Sequence, residues 1–142
     1  CENKEKAIIK YGHISNWNTQ YITTMSNLFK FKTSFNEPLY WDTKNVTDMT
    51  FMFKYAESFN QPLNFNTKNV TNMEGMFQYA KSFNQPLNFN TENVTNMYEM
   101  FYSAESFNQP LNFNTEKVTD LEEMFDYCPI LEENKPVFKI ES

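Results

Sequence analysis

The sequence repeats one decapeptide, Ser-Phe-Asn-Gln-Pro-Leu-Asn-Phe-Asn-Thr, at residues 58–67, 82–91 and 106–115. The three copies are identical and begin 24 residues apart. Looser copies extend the same register in both directions, so that five units cover residues 14–131. Ten residues do not recur three times in phase by chance, and the sequence therefore predicts a repeat protein.

One half of each unit has an apolar pattern typical of a short helix. In residues 71–80, for example, Met73, Met76, Phe77 and Ala80 occupy positions i, i+3, i+4 and i+7. A threonine precedes this pattern in every unit and would cap the helix. A helix of about nine residues does not persist alone in water. We therefore expect each helix to be held by the neighbouring units.

The other half of each unit is expected to be extended or turned, because a proline recurs there and excludes helix. We expect a short strand near residues 68–71, or alternatively at 63–66, and its equivalent in each unit. One strand and one helix per unit predict the α/β class and a right-handed β-α solenoid. In this prediction, five leucine-rich-repeat-like coils of 24 residues build one parallel sheet.

Equivalent side chains of successive units should form columns in the core. The predicted columns are Val46, Val70, Val94 and Val118; Phe53, Phe77, Phe101 and Phe125; Phe35, Phe59, Phe83 and Phe107; and Leu39, Leu63, Leu87 and Leu111. A ladder of asparagines should satisfy the backbone of the proline turns. Its members are Asn36, Asn60, Asn84 and Asn108.

The predicted organisation has three parts. Residues 1–13 form an N-terminal anchor segment and cap, residues 14–131 form the five repeat units, and residues 132–142 form a C-terminal cap. Both ends of a repeat array need polar caps, because the outermost units would otherwise expose apolar side chains.

Composition excludes several classes of function. The net charge is −6 and all 12 cationic side chains are lysines, which disfavours binding to nucleic acid. No apolar run is long enough to span a membrane. The chain has a single histidine, His13, in its N-terminal segment, and no catalytic residues are identified. We predict a protein that is not an enzyme and has no cofactor and no metal site.

The first residue, Cys1, is followed by the charged run Glu2–Lys6. This start resembles that of a bacterial lipoprotein after removal of its signal peptide, in which the first cysteine carries a lipid. We therefore expect Cys1 to be the lipid attachment site and the protein to be anchored at the cell surface, with no other membrane contact. An arbitrary boundary of the sequence is the alternative.

The repeat itself resembles a known family. The run Asn69-Val70-Thr71-Asn72-Met73-x-x-Met76-Phe77, followed by residues 82–87, is similar to the BspA-type repeat of bacterial surface proteins. That family is distantly similar to leucine-rich repeats and is common in lipoproteins of mycoplasma-like bacteria. The resemblance implies a solenoid, export to the cell surface and a role in adhesion. It transfers no ligand specificity, because Phe65, Phe89 and Phe113 stand where the family usually has tryptophan.

Positions that vary between otherwise matching units are candidates for binding. Phe51, Tyr98 and Tyr102 lie at such positions on the predicted outer helix face, and exposed aromatic residues often anchor a partner. The alternatives are that these rings only pack between adjacent helices, or that the polar face rich in Asn and Thr binds instead. The predicted function is a surface-displayed lipoprotein repeat domain for protein–protein recognition or adhesion. A passive structural or antigenic shield is the alternative.

We expect a monomer whose partner is a host or neighbouring-cell protein.

Three further features of the sequence can each be explained either by a function or by a structural role. The Asn-Val-Thr triplets beginning at residues 45, 69 and 93 match the glycosylation sequon but also fit the repeat. The acidic residues near the C-terminus fit either a weak calcium site or a solvated cap. Cys128 fits a small buried side chain better than a disulfide to Cys1.

Overall fold

In a computed structural model of the chain, residues 3–138 are described. They contain one α-helix, α1 (Lys4–Tyr11), and two short 3-10 helices at Ile14–Asn16 and Glu132–Asn134. Across residues 3–138, none of these helices has the length and apolar character that a membrane crossing requires. The rest of the described chain consists of turns and extended segments.

The five units lie against one another in register. We call residues 24–31, 48–55, 72–79, 96–103 and 120–127 the turn segments. In each of the first four turn segments every second N–H donates to a carbonyl of the following turn segment, 23 residues further along the chain. For the second and third segments, N–H groups of Met49, Phe51, Phe53 and Tyr55 donate to carbonyls of Asn72, Glu74, Met76 and Gln78 at 2.8–3.0 Å.

The turn segments are not helices. The intervening N–H groups, such as those of Met52, Lys54 and Ala56, donate to the carbonyl three residues earlier. Two residues of each segment, four positions apart, have φ near +55°, for example Phe51 (54°) and Tyr55 (58°). A residue in the left-handed region interrupts a right-handed helix. The predicted helix in each unit is therefore wrong. In the first four units every second N–H, which a helix would bond within the unit, is bonded to the neighbouring unit instead.

The predicted strands are also missing from the described residues. Parallel pairing is limited to single bridges, which join Thr24 to Asp48, Asp48 to Asn72, Asn72 to Asn96 and Asn96 to Asp120. Isolated bridges do not build a sheet. The predicted α/β class is therefore wrong, as is the leucine-rich-repeat-like β-α solenoid with its parallel sheet. The observed structure is a stack of irregular repeat units.

The predicted core columns are confirmed. Phe77 is fully buried, and its ring lies 5.6 Å from that of Phe53 and 5.5 Å from that of Phe101, measured between centroids. The leucine column and Val46, Val70 and Val94 are buried in the same way, whereas Val118 of the last unit is partly buried. Phe35 and Phe125 are only partly buried, because each lies in an outermost unit. Burial of each such side chain stabilises the fold by about 1.5–3 kcal/mol.

Polar ladders run beside this core. The predicted asparagine ladder is confirmed, since Asn84 Oδ1 accepts from the N–H of Asn108 at 3.0 Å and equivalent bonds join the earlier units. The asparagines of the sequon triplets form another ladder, in which Asn69 Nδ2 donates to the carbonyl of Lys44 at 2.7 Å. These amides therefore have a structural role between units.

Candidate binding surface

Phe51 lies between two lysines and a glycine. The amino groups of Lys54 and Lys30 lie 4.5 and 5.2 Å from the centroid of its ring, within range of a cation–π interaction. The ring also lies on the backbone of Gly75 in the next unit. Burial, and next the charge of Lys30, lower the pKa of Lys54. Phe51 is thus half-buried and already packs against other residues of this protein.

Tyr98 lies two units further along the chain, in the fourth turn segment. A hydrogen bond to the Glu99 carboxylate, and next the charge of that carboxylate, raise the pKa of Tyr98 to about 12. Glu99 also accepts a hydrogen bond from the side-chain amide of Gln78, which is buried. Tyr98 is therefore a neutral hydrogen-bonding group near neutral pH, held beside a carboxylate.

Tyr102 belongs to a line of five aromatic rings that crosses all the units. We call this set the aromatic row; its members are Phe31, Tyr55, Tyr79, Tyr102 and Tyr127. Successive centroids are 5.0, 4.5, 5.5 and 5.4 Å apart. The first two contacts are stacked and the last two are edge-on, both of which are favourable aromatic geometries.

The sequence analysis identified only one member of this row. Four of the rings occupy one repeat position, at residues 31, 55, 79 and 127, and this register could have revealed them. The fourth unit has Ser103 at that position, and the neighbouring Tyr102 supplies the ring instead. Within residues 3–138, no aromatic contact joins Phe51 or Tyr98 to Tyr102. The structure therefore places Phe51 on the second unit and Tyr98 and Tyr102 on the fourth, without bringing their rings together.

The aromatic row is basic at one end and acidic at the other. Lys30 and Lys54 lie beside its first two rings, with Lys30 5.3 Å from the centroid of Phe31. Glu123 and Asp126 are exposed in the last turn segment, next to Tyr127. Removal from water raises the pKa of Tyr102, and its tyrosine neighbours raise it further. Tyr102 is thus uncharged near neutral pH, and the row lies between flanks of opposite charge.

His13 has two polar partners. Its Nδ1 lies 2.5 Å from Ser15 Oγ and accepts from the N–H of Ser15 at 3.2 Å, while its Nε2 lies 3.4 Å from a Glu37 oxygen. This Ser–His–Glu grouping was not foreseen from the sequence. Ser15 is buried, and the contacts are those of a cap on the 3-10 helix Ile14–Asn16. The hydroxyl is therefore positioned to support a turn.

Two alternatives from the sequence remain, a calcium site at the acidic residues near the C-terminus and the role of Cys128. In the part of the chain that the structure describes, no three His, Cys, Asp or Glu side chains converge to hold a metal ion, so the calcium alternative gains no support. Cys128 is a half-buried thiol whose Sγ lies 3.5 Å from the carbonyl oxygen of Phe107, and burial raises its pKa. Cys1 lies outside the described residues.

A protein-family model matches the chain. The sequence model of a family described as "Mycoplasma protein of unknown function, DUF285" matches residues 3–88 and 63–142. The chain belongs to this family. The two matches overlap within the repeat units, so DUF285 members share the repetitive pattern found here. Comparison with curated proteins and with solved structures gave no match.

Proposed function

We propose that this DUF285 protein is a non-catalytic recognition module that binds another protein through the aromatic row. The observation that carries the proposal is the continuity of the row across all five units. Phe31 and Tyr127, its two ends, are 61% and 77% exposed. Exposed aromatic side chains contribute strongly to protein interfaces.

The row is pre-organised for binding. Tyr79 packs against Tyr55 on one side and Tyr102 on the other, so its side chain loses little freedom when a partner covers it. Binding affinity rises when the groups at an interface are already ordered. The turn segments that carry Tyr55, Tyr79 and Tyr102 are hydrogen-bonded to both neighbouring units, and those that carry Phe31 and Tyr127 to one. The partner therefore meets a rigid surface.

The charges beside the row indicate the chemistry of the partner. The partner should have an acidic group opposite Lys30 and Lys54 and a basic group opposite Glu123 and Asp126. Such complementarity fixes the orientation of a partner and increases its association rate. A host protein or a protein of a neighbouring cell is the proposed class.

The proposed location is the bacterial cell surface, with a lipid on Cys1. The resemblance of the repeat to BspA-type surface proteins supports this location and a role in adhesion. Mass spectrometry of the native N-terminus tests the anchor. A diacylglyceryl group on Cys1 is expected, and an unmodified cysteine on protein isolated from the cell would reject the lipid.

Binding is tested against purified extracellular-matrix and serum proteins by biolayer interferometry. The double variant Tyr79→Ala/Tyr102→Ala should weaken binding at least about tenfold, since each ring lies at the centre of the row. The matched control is Tyr21→Ala/Tyr40→Ala, because these tyrosines are exposed and lie outside the row. The control should bind as the wild type does.

Two outcomes reject the proposal. A partner that binds both double variants equally well would place recognition on another face, such as the one rich in Asn and Thr. The lack of any specific partner across the panel would favour a passive structural or antigenic shield. Thermal unfolding of each variant shows whether weaker binding reflects a lost surface or a lost fold.

A further inference from the structure

A cavity of about 480 Å³ lies between α1 and the first repeat unit. Its walls come from α1, from the segment that follows α1, and from residues 28–37. Its lining is mainly apolar, and its volume falls within the range of small-molecule sites. The cavity is separate from the aromatic row except at Phe31, which belongs to both.

The inner wall of the cavity is the first layer of the phenylalanine columns. Phe29 and Phe35 line the cavity and stack on each other with centroids 4.2 Å apart. Each also stacks on the next unit, at 5.4 Å for Phe29 on Phe53 and 5.8 Å for Phe35 on Phe59. Phe53 and Phe59 do not line the cavity, which therefore lies on the other side of this first layer.

Stacking along these columns has a constant geometry. Between units the centroids are 5.4–6.0 Å apart and the ring planes differ by at most 11°. Phe29 is only 5% exposed and also stacks on Trp41, with centroids 5.7 Å apart. A planar ring in the cavity would therefore lie mainly against the partly buried ring of Phe35, in the geometry that each unit offers to the next. Offset stacking of this kind is favourable beyond the burial of apolar area.

Partly exposed apolar side chains surround the cavity. Ile8, Trp17 and Leu28 line it and are 38%, 38% and 46% exposed. A ligand that covered them would remove apolar area from water. Lys32 also lines the cavity and makes no ion pair within residues 3–138, so a cation is available at its edge.

The helix that covers the cavity is held by few contacts. None of the residues of α1 is buried. Lys4 pairs with Glu37, and this hydrogen bond lowers the pKa of Glu37. The indole N–H of Trp17 donates to the carbonyl of Gly12, just after α1, at 3.1 Å. The helix can therefore move to admit a ligand without breaking the packed core.

We propose that this cavity binds a small molecule with a planar aromatic ring, which stacks on Phe35. The chain offers a direct measurement, because both of its tryptophans, Trp17 and Trp41, line the cavity. The probe is 2-naphthoate, a soluble planar ring whose carboxylate can meet Lys32. Its binding should change the tryptophan fluorescence in a saturable way, with a Kd of about 1 mM or tighter, as expected of a ligand of this size.

Two controls separate stacking from general apolar binding. The saturated analogue decahydro-2-naphthoate has the same skeleton but no planar ring, and it should bind at least about fivefold more weakly. Leu28→Asp places a charge in the cavity wall and should weaken binding of 2-naphthoate at least about tenfold. Leu131→Asp is the matched control, because Leu131 is 51% exposed at the opposite end of the stack, and it should leave binding unchanged.

Backbone NMR of the wild-type chain with 2-naphthoate makes the test independent of the variants. Shift changes should concentrate in α1 and residues 28–37. Absence of saturable binding, equal affinity for the saturated analogue, or shift changes centred elsewhere would each overturn the proposal. None of these results bears on protein recognition by Tyr79 and Tyr102, so the two proposals fail separately.

Discussion

The ring of Phe51 fills the space that a β-carbon on Gly75 would need. A β-carbon built on Gly75 overlaps Cδ1 and Cε1 of that ring. The backbone alone does not require glycine here, although φ is 54°, because Asn27, Glu99 and Glu123 adopt the same conformation at the equivalent positions. Gly75 is therefore explained by the side chain of the preceding unit.

Gly75→Ala should destabilise the fold by about 1–3 kcal/mol, because the new methyl group displaces the Phe51 ring. The control is Gly75→Ala in the background of Phe51→Ala, where the ring is gone and the positive φ alone should cost about 1 kcal/mol. Urea unfolding measures both values. An equal cost of Gly75→Ala with and without the Phe51 ring would contradict the explanation.

Phe77→Ala should cost about 3–5 kcal/mol, because it leaves a cavity between two units that cannot close around it. Phe77 is fully buried and stacks on Phe53, Phe83 and Phe101. Tyr40→Ala removes a ring that is 72% exposed and should change the free energy of unfolding by less than about 0.5 kcal/mol. Chemical denaturation distinguishes these values, and a small effect at Phe77 would show that the columns do not stabilise the stack.

Sequence reasoning found the repeat and its core but misjudged the backbone. The apolar pattern at Met49, Met52, Phe53 and Ala56 fits a helix, whose period is 3.6 residues. It fits a period of four equally well over so short a segment, since residues 49 and 53, and 52 and 56, are each four apart. The positive φ values at Phe51 and Tyr55 follow that second period. Burial was predictable because both periods put the same side chains inside.

The aromatic row shows a different limit. Tyr55 and Tyr79 share a repeat position, so aligning the units could have indicated their contact. In the fourth unit this repeat position holds Ser103, which breaks the alignment. Only the structure shows that the ring of the preceding residue, Tyr102, takes its place in the row. Similarly, nothing in the sequence signals the cavity beside α1, because it depends on how the helix lies against the first unit.

Asn84→Ala should destabilise the fold by about 1–3 kcal/mol. Asn84 Oδ1 accepts from the N–H of Asn108 at 3.0 Å and from Gln109 Nε2 at 3.1 Å, and the alanine leaves both donors without this acceptor. Asn88→Ala, at an exposed position of the same unit, should have almost no effect on thermal unfolding. Asn84→Asp keeps an acceptor oxygen and should lose less than the alanine variant. Equal losses at Asn84 and Asn88 would mean that the ladder adds nothing to stability.

Tyr98 should release its proton only near pH 12, because the hydrogen bond to Glu99 and the charge of that carboxylate raise its pKa from 10.0 to about 12. A raised pKa means that the folded chain holds the proton more tightly than the unfolded chain. The contribution of this group to stability is therefore complete below pH 10 and is lost as the pH rises from about 10 to 12. Ultraviolet absorbance of phenolate, compared between wild type and Tyr98→Phe, isolates its titration. Glu99→Gln should return the pKa most of the way to 10.0, whereas Glu123→Gln, which removes a charge with a smaller effect on Tyr98, should shift it less. A Tyr98 that ionises near pH 10 in the wild-type chain would show that Glu99 does not hold its hydroxyl.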